Sequence, residues 1–281
     1  MIDYKLLKKI KLIVFDLDGT LLRSDNTISA KTIQYVSELR GLGVRFSFAT
    51  GRLHSAIIDH AATLNLRTPL ISLDGSLIKS YPEGKILFES YIPEKYVKRA
   101  IELTERLNLN IALCHDDAIY YTEHNSSIPE LLEKLGANYQ KVHSYKNYMN
   151  HSLEMVITGN DKDSLKKVYK KMSFPQGFGL STSFYKSHEH EEIYYLEIRK
   201  KGCTKGSGFK RLAKHLGIKI KHTAIMGDWY NDISMFKTGA LKVAVANAVP
   251  DVKRLADFIT KNTNDNDAAA DFLELVLKSK K

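Results

Sequence analysis

Two short β-rich apolar runs, far apart in the chain, end in the same way. Residues 10–15 lead into Asp16-Leu17-Asp18-Gly19-Thr20, and residues 223–226 lead into Gly227-Asp228-Trp229-Tyr230-Asn231-Asp232. Apolar runs of this length read as strands buried on both faces, the kind found in parallel sheets covered by helices. In open α/β sheets, ligands bind just beyond the carboxyl ends of the strands. The chain is therefore constrained towards an α/β fold in which two pairs of aspartates converge at one sheet edge.

The intervening pattern supports that fold. Residues 29–39 have helical periodicity with Ser29 as N-cap, 44–49 read as a second strand, 53–64 as a helix and 69–73 as a third strand. Strands separated by helices of this length imply right-handed crossovers. The rhythm returns with a helix at 205–216, a strand at 223–226, a helix at 232–237 and a strand at 242–245. Between the blocks the pattern changes to locally pairing strands at 86–92, 110–115, 119–123, 153–158, 180–184 and 193–198, with helices at 93–107, 128–135 and 162–172. The expected architecture is a Rossmann-like parallel-sheet core, residues 1–79 and 199–281, with an α+β cap domain, residues 80–198, inserted into it.

Composition narrows the function classes. No apolar run reaches the roughly 20 residues of a membrane helix, so no span is expected. The N-terminal segment lacks a small-residue cleavage site, so no secretion signal is expected. Cys114 and Cys203 form neither a disulfide framework nor a metal-finger spacing, so a reducing, cytoplasmic compartment is the default expectation. The net charge of +10 is the excess of 42 basic over 32 acidic residues, and the basic ones are spread along the chain, a solvated surface suited to drawing in anionic substrates; nucleic acid is not an expected partner.

The aspartates suit one chemistry in particular. Magnesium prefers oxygen ligands and takes one or two carboxylates together with a substrate phosphate, so Asp16, Asp18, Asp228 and Asp232 are candidates for a Mg²⁺ site. Thr50 and Gly51, expected at the start of a helix, offer a hydroxyl and free backbone N–H groups to a phosphate oxygen. Lys205, at the start of another helix, offers positive charge against an anionic transition state. Each residue also has a plainer reading: Asp18 as a turn cap, Asp232 and Thr50 as helix caps, Lys205 as a surface lysine. The conjunction of all of them separates the two readings.

That conjunction resembles the haloacid-dehalogenase superfamily, and within it the Cof-type branch with a large α+β cap. The resemblance is carried by DLDGTLL at residues 16–22, ATGR at 49–52, TKG at 204–206 and GDWYND at 227–232. It implies Asp16 as nucleophile and Asp18 as general acid and then base. It further implies that Thr50, Gly51 and Lys205 hold the phosphoryl group with Asn231 nearby. Mg²⁺ would be bound by Asp16, the backbone carbonyl of Asp18 and Asp228, with Asp232 orienting that shell. The chain departs from the branch at Asp74-Gly75-Ser76, where many relatives carry Asn-Gly-Ala, a change that adds negative charge near the phosphate site. Asn264-Asp265-Asn266-Asp267 follows the family pattern only loosely.

The expected activity is hydrolysis of a small phosphorylated metabolite, a sugar phosphate first, through an aspartyl-phosphate. A sugar phosphomutase of the same fold and a basic binding module without turnover are the alternatives. His188, His190 and Glu192 would share one face of a strand as metal ligands, but a hydrated loop or hairpin is the better reading of that segment.

Overall fold

The computed structural model describes residues 4–125, 137–186 and 192–281. The helix expected at 128–135 and the His188–His190 pair lie outside the described residues. The chain divides into two compact units, one of Met1–Gly51, Ile58–Leu87 and Thr204–Lys281, the other of Arg52–Ile57 and Phe88–Cys203.

The first unit is built on five parallel strands in the spatial order Phe258–Ile259, Leu241–Ala244, Thr223–Gly227, Leu12–Phe15, Arg45–Phe48. The two strands that end in aspartates are therefore neighbours, with Phe15 opposite Met226. Leu12, Ile13, Val14 and Phe15 are all fully buried, as a strand covered on both faces requires. The Phe15 ring stacks on Phe46 of the adjacent strand at 5.9 Å between centroids. Burying each such ring contributes about 1.5–3 kcal/mol, and it pins the strand one residue before Asp16.

Helices cover the sheet, and their starts follow the capping chemistry. Ser29 accepts the Thr32 N–H at 3.1 Å ahead of the helix Ala30–Gly41. Thr204 opens the helix Lys205–His215 through a reciprocal capping box: its hydroxyl accepts the Ser207 N–H at 3.1 Å, and the Ser207 hydroxyl accepts the Thr204 N–H at 3.1 Å. Beyond the second strand, Ala49 makes a parallel bridge to Ile71 in the strand Leu70–Ser72, which forms a hairpin with Leu77–Lys79.

The second unit holds a six-stranded sheet in the order Leu180–Lys186, Tyr194–Lys200, Glu154–Gly159, Asn110–Cys114, Ile119–Tyr121, Tyr139–Lys141. Its pairs are antiparallel except the last, which is parallel. Alternate residues, among them Ile111, Leu113, Met155, Ile157, Leu196 and Ile198, form one core with Val97 and Ile101 of the helix Glu94–Leu107 and Leu165 and Val168 of the helix Lys162–Met172. The intervening residues carry polar groups to the other face. There Arg199 pairs with Glu154 at 2.7 Å and Glu197 at 2.6 Å, and the Tyr185 hydroxyl donates to Glu197 at 2.5 Å.

Candidate active site

Asp16 is the first residue after its strand and Asp228 the first after the neighbouring one, so parallel pairing alone sets them side by side. The Asp16 N–H donates to the Met226 carbonyl at 3.0 Å, which continues the ladder to the edge of the sheet. From there the chain turns sharply at Gly19, whose φ of 73° favours glycine. A Cβ at Gly19 would lie 2.5 Å from Asp228 Oδ2, so the turn also requires the missing side chain. Thr20 then donates its hydroxyl to Asp228 Oδ1 at 2.7 Å, tying the two strand ends together.

Lys205 is 1% exposed, which is rare for a lysine and calls for partners. Its Nζ donates to Asp16 Oδ1 at 2.6 Å and to Asp232 Oδ1 at 2.7 Å. The other oxygen of Asp232 accepts the backbone N–H groups of Asp228 at 2.9 Å and Trp229 at 3.0 Å. Asp232 therefore anchors both the lysine and the loop that carries Asp228. Asp16, Asp228 and Asp232 each offer one ligand atom, all within 4.8 Å of one another.

The electrostatics follow from burial. Desolvation, and then the nearby Asp232, push the Asp16 carboxyl well above its ordinary range despite the opposing pull of Lys205. Asp228 is pushed up to about 6, mainly by burial and then by Asp232. For Lys205 burial works against the charged form, but Asp16, Asp232 and Asp74 outweigh it and hold the ammonium charged. One lysine faces three crowded carboxylates. This is a hard-oxygen donor set short of positive charge, which fits a divalent cation.

The other sequence candidates fall into place unequally. Asp18 is exposed, and its carboxylate is not part of the three-aspartate group. Thr50 is buried, but no helix starts there. The Thr50 N–H donates to the Ile71 carbonyl at 3.1 Å, and the α-helix begins only at Ile58. The anion-binding helix terminus expected at Thr50 and Gly51 is thus corrected: sheet-like pairing has used that N–H. Gly51 lies beside Asp74, with a Cβ there 3.4 Å from Asp74 Oδ1. Asn231 donates its amide to Asp74 Oδ1 at 3.2 Å.

Asp74 itself is buried and sits in the left-handed region, as does Leu73 before it, with φ of 48° and 47°. Such a pair of non-glycine residues stores strain of a kind that clusters at functional sites. The turn brings the Asp74 N–H to the Thr50 carbonyl at 2.9 Å. Gly75 is then so close to the chain before Lys205 that a Cβ would lie 2.4 Å from the Thr204 carbonyl oxygen. Two further groups had no assigned role in the sequence: Thr20, inside a motif read for its acids, and Ser234, whose hydroxyl accepts the Gly206 N–H at 2.9 Å. Nothing in periodicity singles out either one.

Strand-end aspartates, a buried lysine and a parallel sheet with a second α+β unit define a class, and the similarity of the whole chain agrees with it. A family model of haloacid dehalogenase-like hydrolases matches residues 13–273, and the chain belongs to that family. It is a phosphatase of the family. Phosphatase YwpJ of Bacillus subtilis is 29% identical over 95% of this chain and 100% of its own. A haloacid dehalogenase-like hydrolase from Bacteroides thetaiotaomicron superposes with a TM-score of 0.82 at 26% identity, covering 94% of this chain and 98% of that one. The subclass IIB sugar phosphatase BT4131 does so with a TM-score of 0.77 at 25% identity, over 94% and 98%. Among the described residues no helix is long and apolar enough to cross a membrane.

Proposed function

We propose that this phosphatase hydrolyses the phosphate monoester of a small metabolite, a sugar phosphate first, in a Mg²⁺-dependent reaction through an aspartyl-phosphate on Asp16. The observation that carries the reading is the contact of Lys205 with Asp16 at 2.6 Å, beside Asp228 and Asp232, at the carboxyl ends of adjacent strands. The sugar-phosphate preference is supported by the similarity to BT4131.

Asp16, Asp228 and the backbone carbonyl of Asp18 would hold the Mg²⁺, and Asp232 would keep the Asp228 loop in place. When bound, the ion supplies charge that offsets the repulsion between a carboxylate nucleophile and a phosphate. Asp16 attacks phosphorus, Lys205 offsets the negative charge on the phosphoryl oxygens, and the Thr50 hydroxyl donates a hydrogen bond to one of them. Asp18 donates a proton to the leaving oxygen and then takes one from the attacking water. Its exposed position, outside the crowded carboxylates, suits a group that must change protonation state twice. The unit of Phe88–Cys203 serves in this reading as the specificity domain.

The reading is tested by assaying phosphate release from a panel of phosphorylated metabolites with Mg²⁺ and with excess chelator. Borohydride quenching of the working enzyme accompanies the assay, since it reduces an acyl-phosphate to an alcohol and marks the Asp16 peptide by mass. Full turnover in chelator would refute the metal role. Isomerised substrate without free phosphate would point to a mutase.

A further inference from the structure

A loop that leaves a strand without entering a regular helix must find partners for its carbonyl groups elsewhere. In the segment after Asp16, two of them are taken by side-chain amides from a distant part of the chain. Asn247 Nδ2 donates to the Gly19 carbonyl at 2.7 Å, and Asn264 Nδ2 donates to the Leu22 carbonyl at 3.0 Å. The two asparagines are themselves joined, because the Asn264 N–H donates to Asn247 Oδ1 at 3.0 Å. That bond commits the Asn247 oxygen and leaves its NH₂ group facing Gly19. The same clasp continues outward, where Asp265 accepts the Ser24 N–H at 2.7 Å and Asp267 accepts from Arg23 at 2.7 Å.

The inner end of the clasp bears on the reacting groups. Asp228 lies against the Gly19–Thr20 segment, close enough to exclude a Cβ at Gly19 and hydrogen-bonded to the Thr20 hydroxyl. The Asn247 amide takes the Gly19 carbonyl. Gly19 is thus held by two contacts, and the residue immediately before it is Asp18.

We propose that Asn247 is a positioning residue for phosphoryl transfer: its amide fixes the Gly19 carbonyl and thereby sets Asp18 against Asp16. The inference rests on the acid–base role proposed for Asp18. Its side chain is exposed, so replacing it disturbs no packed core. An aspartate at this position keeps the acceptor for Asn264 but presents an anion to the Gly19 carbonyl where a donor is required. An alanine leaves the carbonyl to water.

The test is steady-state kinetics of Asn247→Asp and Asn247→Ala with p-nitrophenyl phosphate, alongside melting temperature, inhibition by inorganic phosphate and inhibition by vanadate, which mimics the five-coordinate phosphorus of the transition state. Loss of one such hydrogen bond to the reacting loop is expected to lower kcat about tenfold in the aspartate variant and less in the alanine variant. KM and phosphate inhibition should stay within about twofold, because the interaction acts on the transition state and not on substrate binding. Vanadate inhibition should weaken in parallel with kcat, and the melting temperature should hold. A wild-type kcat in Asn247→Asp, or a joint fall of kcat, substrate affinity and melting temperature, would overturn the proposal. Asp18→Asn is measured in parallel. If its kcat falls while Asn247→Asp is unimpaired, the positioning role alone fails; if Asp18→Asn is fully active, the acid–base reading fails and this inference with it.

Discussion

Lys205 donates to Asp16 at 2.6 Å although 189 positions separate them in the chain. The same ammonium reaches Asp232, so a single buried cation holds together the loop after the first strand and the loop after its neighbour. A lysine in this place has a structural and an electrostatic part at once, and the two separate in experiment.

Lys205→Met should show both. Removing one partner of a buried ion pair leaves uncompensated charge and costs about 3–5 kcal/mol, which urea denaturation would measure. The loss of charge at the phosphoryl group should lower kcat by roughly a hundredfold or more. Added Mg²⁺ should restore part of the stability but little of the rate. A variant as stable and as active as the parent would show that the contact carries neither part.

Asp16→Asn keeps the size of the side chain and removes the charge that attacks phosphorus in the proposed mechanism. Turnover should fall by about a thousandfold or more while the circular dichroism melt remains cooperative. Asp18→Asn should instead slow proton transfer and retain inhibition by inorganic phosphate. Equal residual activity of the two variants against substrates with good and poor leaving groups would argue against their separate roles.

The coupling of metal to pH has a definite sign. Asp228 rises from 3.8 to about 6 in the metal-free fold, so between those values the folded state holds more protons than the unfolded chain. The metal-free protein accordingly loses this stabilising contribution as pH rises through that window. Mg²⁺ requires the ionised carboxylate and competes with the proton. The rise in melting temperature on adding Mg²⁺ should therefore be larger at pH 7.5 than at pH 5, values chosen to lie about a unit or more either side of the Asp228 midpoint. A Mg²⁺ effect independent of pH would show that Asp228 is not a ligand.

Asp74→Asn tests the added carboxylate. The asparagine can still meet the Asn231 amide, but it no longer repels a phosphate dianion. KM for a dianionic substrate should fall by roughly threefold to tenfold with kcat nearly unchanged, since the charge acts on bound and reacting phosphate alike. An unchanged or raised KM would place Asp74 in a purely structural role at its turn.

Much of the architecture was legible in the chain. Apolar runs interrupted by aspartates marked the strands Leu12–Phe15 and Thr223–Gly227, and Ser29 marked the start of its helix through a bond that local sequence can encode. The misreading at Thr50 has an equally local cause. Helical periodicity after residue 53 suggested a helix start at Thr50, but the pairing of its N–H with Ile71 depends on a bridge between distant segments that no local pattern reports.

By itself the sequence determined the alternation of strands and helices around the two aspartate-bearing strands, the aspartates that end those strands, and the motifs that carry the family resemblance; it showed neither the edge strand Phe258–Ile259 nor the closing helix Ala268–Lys280. What it determined depends on periodicity and on neighbouring residues, which the chain displays in one dimension. Only the tertiary structure decided that Lys205 bridges Asp16 and Asp232, that Asp74 meets Asn231, and that Asn247 donates to the Gly19 carbonyl. Those contacts join segments far apart in the chain, and their partners are chosen by sheet pairing and by the close approach that glycines at turns allow, neither of which has a signature in the linear order of residues.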